Sequence, residues 1–241
     1  MHGDHFLGLI GLISSMHLLG RTRDLHVYGP PEIKEVILVQ LRASQTNLTF
    51  YVHFHETTTD GMNLLFEDNT LTVHSFPLKH RINCTGFLFK EKTRAFSIRK
   101  SAVKEHHLQI SEMLQLKKGI DVERETGELL KVEELTDPPH PPKSYAFCSD
   151  TAYTEETLKY IRSVSTLYYE ATFLNALLDR ALKTFHSTAK QAGEMASLAE
   201  ADQLIIGHFS SRYTDETPLL EEAQSSFSNT ILANEGLTIE V

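Results

Sequence analysis

The sequence has few cysteines, no long apolar run and, past Arg212, no lysine or arginine at all. Each shortage excludes something. Cys84 and Cys148 alone cannot build a disulfide framework, so the chain suits a reducing cytosol. Its most apolar stretch, Phe6–Met16, is too short to cross a bilayer and lacks the basic flank of a signal peptide. No internal repeat or low-complexity tract interrupts the 241 residues, 41 % of them hydrophobic, a size that supports one α/β domain with or without an insertion. A net charge of −9 excludes a protein that coats nucleic acid indiscriminately.

That charge is unevenly spread. Between Lys79 and Lys118 ten Lys/Arg stand against three acids, whereas the chain after Arg212 carries only acids. A basic stripe on an acidic body fits a face that holds an anionic ligand, although a solvated helix and hairpin would read the same. Thirteen histidines raise the expectation of metal chemistry without placing it.

Hydrophobic spacing predicts alternating strands and helices. Asp24–Tyr28 reads as a strand stopped by Gly29-Pro30-Pro31, followed by a helix from Glu32 to about Ala43. Leu48–His55 alternates strictly, with Leu48, Phe50, Val52 and Phe54 on one face. His53 and His55 share the other face and mimic a ligand pair, as a half-exposed strand also does without metal. Strands follow at Thr70–Phe76 and Asn83–Lys90, then one amphipathic helix over Ser101–Lys118 that Gly119 stops. Residues 121–143, charged and then proline-broken, read as a connector or the far side of an insertion. Strands at Ser144–Cys148, Thr166–Glu170 and Gln203–Gly207 alternate with helices, and two short strands, 229–233 and 237–241, close the chain. The pattern is that of a layered α/β fold.

The residues suited to chemistry lie at the edges of these elements. The chain opens on His2-Gly3-Asp4-His5, two imidazoles and a carboxylate that converge only if the backbone turns sharply, which Gly3 permits. Phe6–Ile13 follows, apolar on every side, and reads as a helix buried all round. His80, Asp150 and His208 each come just after a predicted strand, where layered α/β folds aim side chains into a common crevice. Two divalent cations need about six or seven N/O ligands with one carboxylate between them, which this set supplies.

Taken together, these blocks carry a resemblance. His-Gly-Asp-His-Phe-x-Gly-Leu (2–9), Lys-His (79–80), Ser-Asp-Thr (149–151), Glu-Ala-Thr-Phe (170–173), His-Ser-Thr (186–188) and His-Phe-Ser-Ser-Arg-Tyr (208–213) occur in the order seen in ribonuclease Z. That family holds the tRNA 3′-processing endonucleases of the metallo-β-lactamase superfamily. The resemblance implies an αβ/βα sandwich formed by the whole of 1–241, with an inserted substrate arm near 97–131. It implies two zinc ions per complete subunit, His2 and His80 on one, Asp4, His5 and His208 on the other, Asp150 bridging. Asp4 would also act as general base. His186, oriented by Glu170, would protonate the leaving 3′ oxygen. A bland alternative for His186 is that it merely precedes a helix cap at Ser187. Arg212, Lys79, Arg81, Arg99 and Lys100 are the candidates for contact with precursor tRNA. The resemblance further implies a cytoplasmic homodimer with no membrane segment.

The sequence departs from the family at three places. A histidine that the family has two residues before His2 would lie before Met1, together with about sixty residues whose strands complete one sheet, so the chain reads as shortened with a sheet edge exposed. The arm lacks a Gly-Pro element, and Ser149 stands where the family commonly has glycine. Two rival readings therefore stand beside a tRNA 3′-endonuclease: a generic metal-dependent phosphodiesterase, and an inactive fragment holding fewer than two zincs.

Overall fold

Helix α1 (Gly3–Leu18) carries Phe6, Leu9, Ile10, Ile13 and Met16 at helical spacing, and these meet Ile33, Ile37 and Leu41 of α2 (Glu32–Ala43). Both helices pack on Leu25, Val52 and Phe54 of a two-stranded parallel sheet, β1 (Leu25–Gly29) and β2 (Val52–Glu56). This computed structural model describes residues 3–240. It corrects the expectation of a helix buried all round. Ile13 is fully buried, but Leu7, Leu12 and Leu18 are 58 %, 52 % and 82 % exposed, because only one stripe of α1 meets α2 and the sheet. The strand expected from Leu48 begins only at Val52. Ahead of it, the Thr49 N–H and hydroxyl bond to the His17 ring and the Arg21 carbonyl, which takes that stretch out of the ladder while Phe50 stays buried.

Three strands follow: β3 (Asn63–Glu67), which the sequence reading did not single out, β4 (Leu71–Leu78) and β5 (Cys84–Glu91). The chain then enters a second compact unit, Asn69–Leu71 with Glu91–Lys143, distinct from the larger unit that holds everything else described. Within this second unit lie β6 (Ser97–Ile98), α3 (Lys100–Glu105), α4 (Ile110–Leu116), β7 (Val122–Glu123), β8 (Leu129–Leu130), α5 (Val132–Leu135) and β9 (Thr136–Asp137). They surround a core of Ala102, Leu108, Leu116, Val122, Leu130, Val132 and Leu135. The single helix expected over Ser101–Lys118 is therefore two. His107 takes a left-handed φ of 46°, and the Glu112 carboxylate accepts from the Gln109 N–H to start α4 afresh. Of the two readings of 121–143, the far side of an insertion fits residues 121–135, which contribute Val122, Leu130, Val132 and Leu135 to the core of this second unit. Arg124 ties the β7–β8 hairpin to α4 through Glu112, at 2.7 Å, and also bonds Glu128 and the His106 carbonyl. Only the proline run after Asp137 is irregular.

Back in the larger unit come β10 (Ser144–Cys148), α6 (Leu158–Ile161), β11 (Thr166–Glu170), α7 (Leu178–Thr184), α8 (Ala189–Leu198), β12 (Gln203–Gly207), α9 (Thr217–Ser226) and β13 (Thr230–Leu232). The second tail strand does not form over 237–240, and Val241 lies outside the described residues. Seven strands make one sheet in the order β13-β12-β11-β10-β5-β4-β3, with β10 to β13 mutually parallel and β5 antiparallel to β10. Alternate residues of its strands, among them Phe76, Leu167, Tyr169, Leu204 and Ile206, pack against Ala192, Met195 and Ala196 of α8 and Leu219 and Ala223 of α9. Truncating one such buried leucine to alanine costs about 2–5 kcal/mol. Gly193 lets the two helices meet, since a Cβ there would overlap the Ala223 carbonyl. No helix among the described residues is long and apolar enough to cross a membrane.

Candidate functional site

Three parallel strands finish at one edge of the large sheet. Cys148 stands opposite Tyr169 and Glu170 opposite Gly207, so Asp150, Glu170 and His208 emerge side by side. Asp150 and His208 take left-handed backbone angles, φ 56° and 60°, as does Phe185 at 59°, just before His186. Such angles in residues other than glycine cost on the order of 1–3 kcal/mol each and persist where the surroundings over-determine them. Ligating atoms of Asp150, Glu170, His186 and His208 all lie within 4.8 Å of one another.

Glu170 is wholly buried, and its two oxygens collect donors. Oε1 accepts from the Thr151 N–H at 2.5 Å and Oε2 from the Thr172 hydroxyl at 2.5 Å and the Ser187 N–H at 3.0 Å. His186 Nδ1 lies 3.0 and 3.1 Å from the two oxygens. A carboxylate so fully engaged orients its neighbours and has no lone pair left to offer an ion. It sets their tautomers. His186 donates Nδ1–H to Glu170, which leaves Nε2 for chemistry. Thr172 has one proton, given to Glu170, so at 2.9 Å it can only accept from His208 Nδ1–H. The lone pair of neutral His208 is therefore on Nε2.

That nitrogen lies 3.0 Å from Asp150 Oδ1, while His5 Nε2 lies 2.9 Å from Asp150 Oδ2. A lone pair facing a carboxylate oxygen is repulsive unless the ring is doubly protonated or a cation lies near both. Asp150 is buried and meets an imidazole at each oxygen, the chemistry of a carboxylate shared between ions. His80 gives its Nδ1 to the Phe185 carbonyl at 2.9 Å, again leaving Nε2, and its ring centroid is 5.4 Å from that of His186. His5 and His208 rings are 5.6 Å apart. The donor set thus fits divalent cations. Cys84 does not join it. Burial and the Asp150 charge push its thiol up to about 11, so it stays protonated and points its S–H at the Ser149 carbonyl.

The sequence-predicted residues divide accordingly. His5, His80, Asp150, Glu170, His186 and His208 come together, and His5, His80 and Asp150 also line a cleft of about 600 Å3 bounded by Val27–Pro31, Thr57–Asp60 and Ile82–Thr85. His2 and the Asp4 side chain lie outside the described residues. Arg212 is exposed with its guanidinium 5.0 Å from the Phe173 ring centroid, and that ring makes a T-shaped contact with His186 at 6.2 Å. Lys79 and Arg81 flank His80 with exposed side chains, the Lys79 backbone being pinned to Thr151 and Ala152. In the second unit Arg99 is engaged by Asp137 and the Glu134 carbonyl, and Lys100 is exposed. Ser187 is not the cap of α8; Thr188 is, accepting from Gln191 N–H, while the Ser187 hydroxyl donates to the Thr151 carbonyl. The sequence reading missed Thr172 and Phe185. Thr172 lies within Glu-Ala-Thr-Phe (170–173), but its role as relay between Glu170 and His208 has no spacing signature. Phe185 acts through its carbonyl, which no side-chain pattern records.

No protein-family model matches the chain. Curated relatives do. The ribonuclease Z of Cytophaga hutchinsonii is 48 % identical over 240 residues, covering 99 % of this chain and 76 % of that protein. That of Bacteroides fragilis is 44 % identical over 241 residues, covering 100 % and 79 %. Among solved structures, human tRNase Z, short form, superposes with a TM-score of 0.66 at 24 % identity, covering all of this chain and 76 % of that one. The metallo-beta-lactamase fold protein YhfI from Bacillus subtilis gives 0.61 at 14 %, covering 99 % and 74 %. Those structural likenesses establish the metallo-β-lactamase fold. With close to half its residues shared along essentially its whole length, the chain belongs to the ribonuclease Z family.

Proposed function

We propose that this chain is an endoribonuclease that removes the 3′ trailer of precursor tRNA and leaves a 3′-hydroxyl. The single observation that carries a metal-dependent mechanism is the His208 Nε2 lone pair held 3.0 Å from Asp150 Oδ1, an arrangement that asks for a cation. Two zinc ions per complete subunit would be held by His2 and His80, by Asp4, His5 and His208, and by Asp150 as the shared carboxylate. The chemistry supplied there is activation of a water and neutralisation of a phosphodiester oxygen.

The chain's own residues do the rest. Asp4 takes the proton of the attacking water. His186 holds its Nδ1 proton against Glu170 and delivers another from Nε2 to the departing 3′ oxygen, a poor leaving group without it. Exposed Lys79, Arg81 and Arg212 surround this site and hold trailer or acceptor phosphates. The stretch 97–131, with exposed Lys100 and with Arg99 at its start, is the substrate arm, gripping RNA by shape and phosphate. The exposed leucines of α1 form an apolar face that supports a homodimer. The enzyme works in the cytoplasm.

The decisive experiment is cleavage of a precursor tRNA with a defined trailer. Zinc-loaded protein yields a product ending in a 3′-hydroxyl, a chelator stops the reaction, and His186→Ala lowers kcat by about 10²–10⁴-fold with little change in KM. An undiminished rate for that variant overturns the assignment. Ready hydrolysis of a small activated diester with precursor tRNA ignored would favour a generic phosphodiesterase instead.

A further inference from the structure

Phe173 is buried, yet two arginines reach its ring. The guanidinium of Arg212 lies 5.0 Å from the ring centroid and that of Arg180, on α7, lies 5.9 Å from it. The same ring meets His186 in a T-shaped contact at 6.2 Å. Backbone pairing fixes it there. The Phe173 N–H donates to the Ser187 carbonyl and the Ala189 N–H to the Phe173 carbonyl, so ring and His186 ride on one paired segment. The Leu174 N–H donates to the Tyr213 hydroxyl at 3.0 Å, which ties the Arg212 loop to that segment. We propose that Arg180 joins Arg212 in a phosphate clamp on the leaving-oxygen side of His186. It takes the phosphate that links the last two nucleotides of the tRNA body. This deepens the endonuclease reading above and rests on it.

Two features favour an anion at this place. Both arginines are exposed, and among the described residues neither forms an ion pair with a carboxylate, Asp179 next to Arg180 included. Arg212 uses its Nε on the Ser210 hydroxyl at 2.9 Å and keeps both terminal nitrogens for a ligand. Like charges gathered at one neutral ring repel, and an anion shared between them removes that repulsion. A guanidinium gains less from an exposed aromatic face than from a charge-assisted, bidentate bond to phosphate, so each can turn to the anion. The second feature is what Phe173 touches. His186 gives its proton to the 3′ oxygen of the last nucleotide that the tRNA keeps, and the other charged group of that nucleotide is its own 5′ phosphate. Gripping that phosphate decides which bond stands before His186, so the clamp sets the position of the cut.

The test reads binding, not turnover. A hairpin copy of an acceptor stem ending in a 3′-hydroxyl is made with a natural phosphate or an uncharged methylphosphonate at that one linkage, and affinity is followed by fluorescence anisotropy. Native protein binds the methylphosphonate RNA on the order of tenfold more weakly. The difference shrinks in Arg180→Gln, returns in part in Arg180→Lys, and vanishes in Arg180→Gln/Arg212→Gln. Arg180→Gln also flattens the slope of log affinity against log salt by about 0.7–0.9, the share of one phosphate contact, which a packing role would not do. A native affinity indifferent to the methylphosphonate, or an undiminished tenfold difference in the variants, overturns the clamp. Cleavage of precursor tRNA keeps the two readings apart. A native chain that cuts no precursor defeats the endonuclease, whereas one that cuts while the variants keep the full difference defeats the clamp alone.

Discussion

Glu170→Gln is the sharpest probe of how the site is built. The substitution keeps the side chain's shape and exchanges one acceptor oxygen for an NH2. Neither orientation of the amide fits. Placed at Oε1, the NH2 faces the Thr151 N–H and His186 Nδ1; placed at Oε2, it faces the Ser187 N–H and the Thr172 hydroxyl. Thr172 could turn to accept from the amide, but its proton then leaves Glu170 and the His208 Nδ1–H contact is disturbed. At least two hydrogen bonds to a buried carboxylate are lost, at about 1.5–3 kcal/mol each, or roughly 3–6 kcal/mol in all. Set against a total stability of about 5–15 kcal/mol, that loss is a large fraction of the whole. Urea unfolding followed by circular dichroism measures it as a lower midpoint with unchanged slope. Cleavage of precursor tRNA should fall at the same time, because one of the two oxygens that face the His186 Nδ1–H becomes an NH2 and the negative charge that holds that ring is gone. A variant whose midpoint lies within about 0.5 kcal/mol of native, with native kcat, would refute this account of Glu170.

Two other predictions address different parts of the molecule. Arg124 holds the Glu112 carboxyl down to about 2, so the stabilisation of the second unit is fully present above the ordinary glutamate pKa and is lost as pH falls toward 2. Protection of the α4 and β7–β8 amides against hydrogen exchange, relative to their intrinsic rates, should therefore fall between about pH 4.5 and 2, and Arg124→Met should weaken that dependence, leaving the part due to the Gln109 N–H. Leu12→Glu, on the exposed face of α1, should leave the unfolding midpoint within about 0.5 kcal/mol of native, and the proposed homodimer predicts that sedimentation equilibrium finds native protein dimeric and this variant monomeric.

How much of this was legible beforehand differs between elements. Helix α2 and strands β1, β10, β11 and β12 lie where hydrophobic period and Gly/Pro punctuation put them, since their faces are set by short-range repeats. The helix expected over Ser101–Lys118 breaks because a left-handed His107 and the Glu112 contact compete with an apolar period that continues through the break. β3 was passed over, as Asn63–Glu67 pairs with β4 only through a bulge, which disturbs strict alternation. In the site, His80, Asp150 and His208 could be picked out because each directly follows a strand, and strand ends converge in this class of fold. Thr172 and the Phe185 carbonyl could not, since what they do depends on partners far along the sequence, His208 at 36 residues for the one and His80 at 105 for the other.

The sequence by itself determined which chemical groups are present, their order, and that strand ends would present them, because side-chain identity and local periodicity are properties of short segments. Tertiary structure alone decided which nitrogen of each site histidine keeps its lone pair, that one flank of α1 stays in water, and that His26 of β1 meets His53 and His55 of β2. Those outcomes hang on contacts a few ångströms long between residues distant in the chain, and no local pattern encodes a distance.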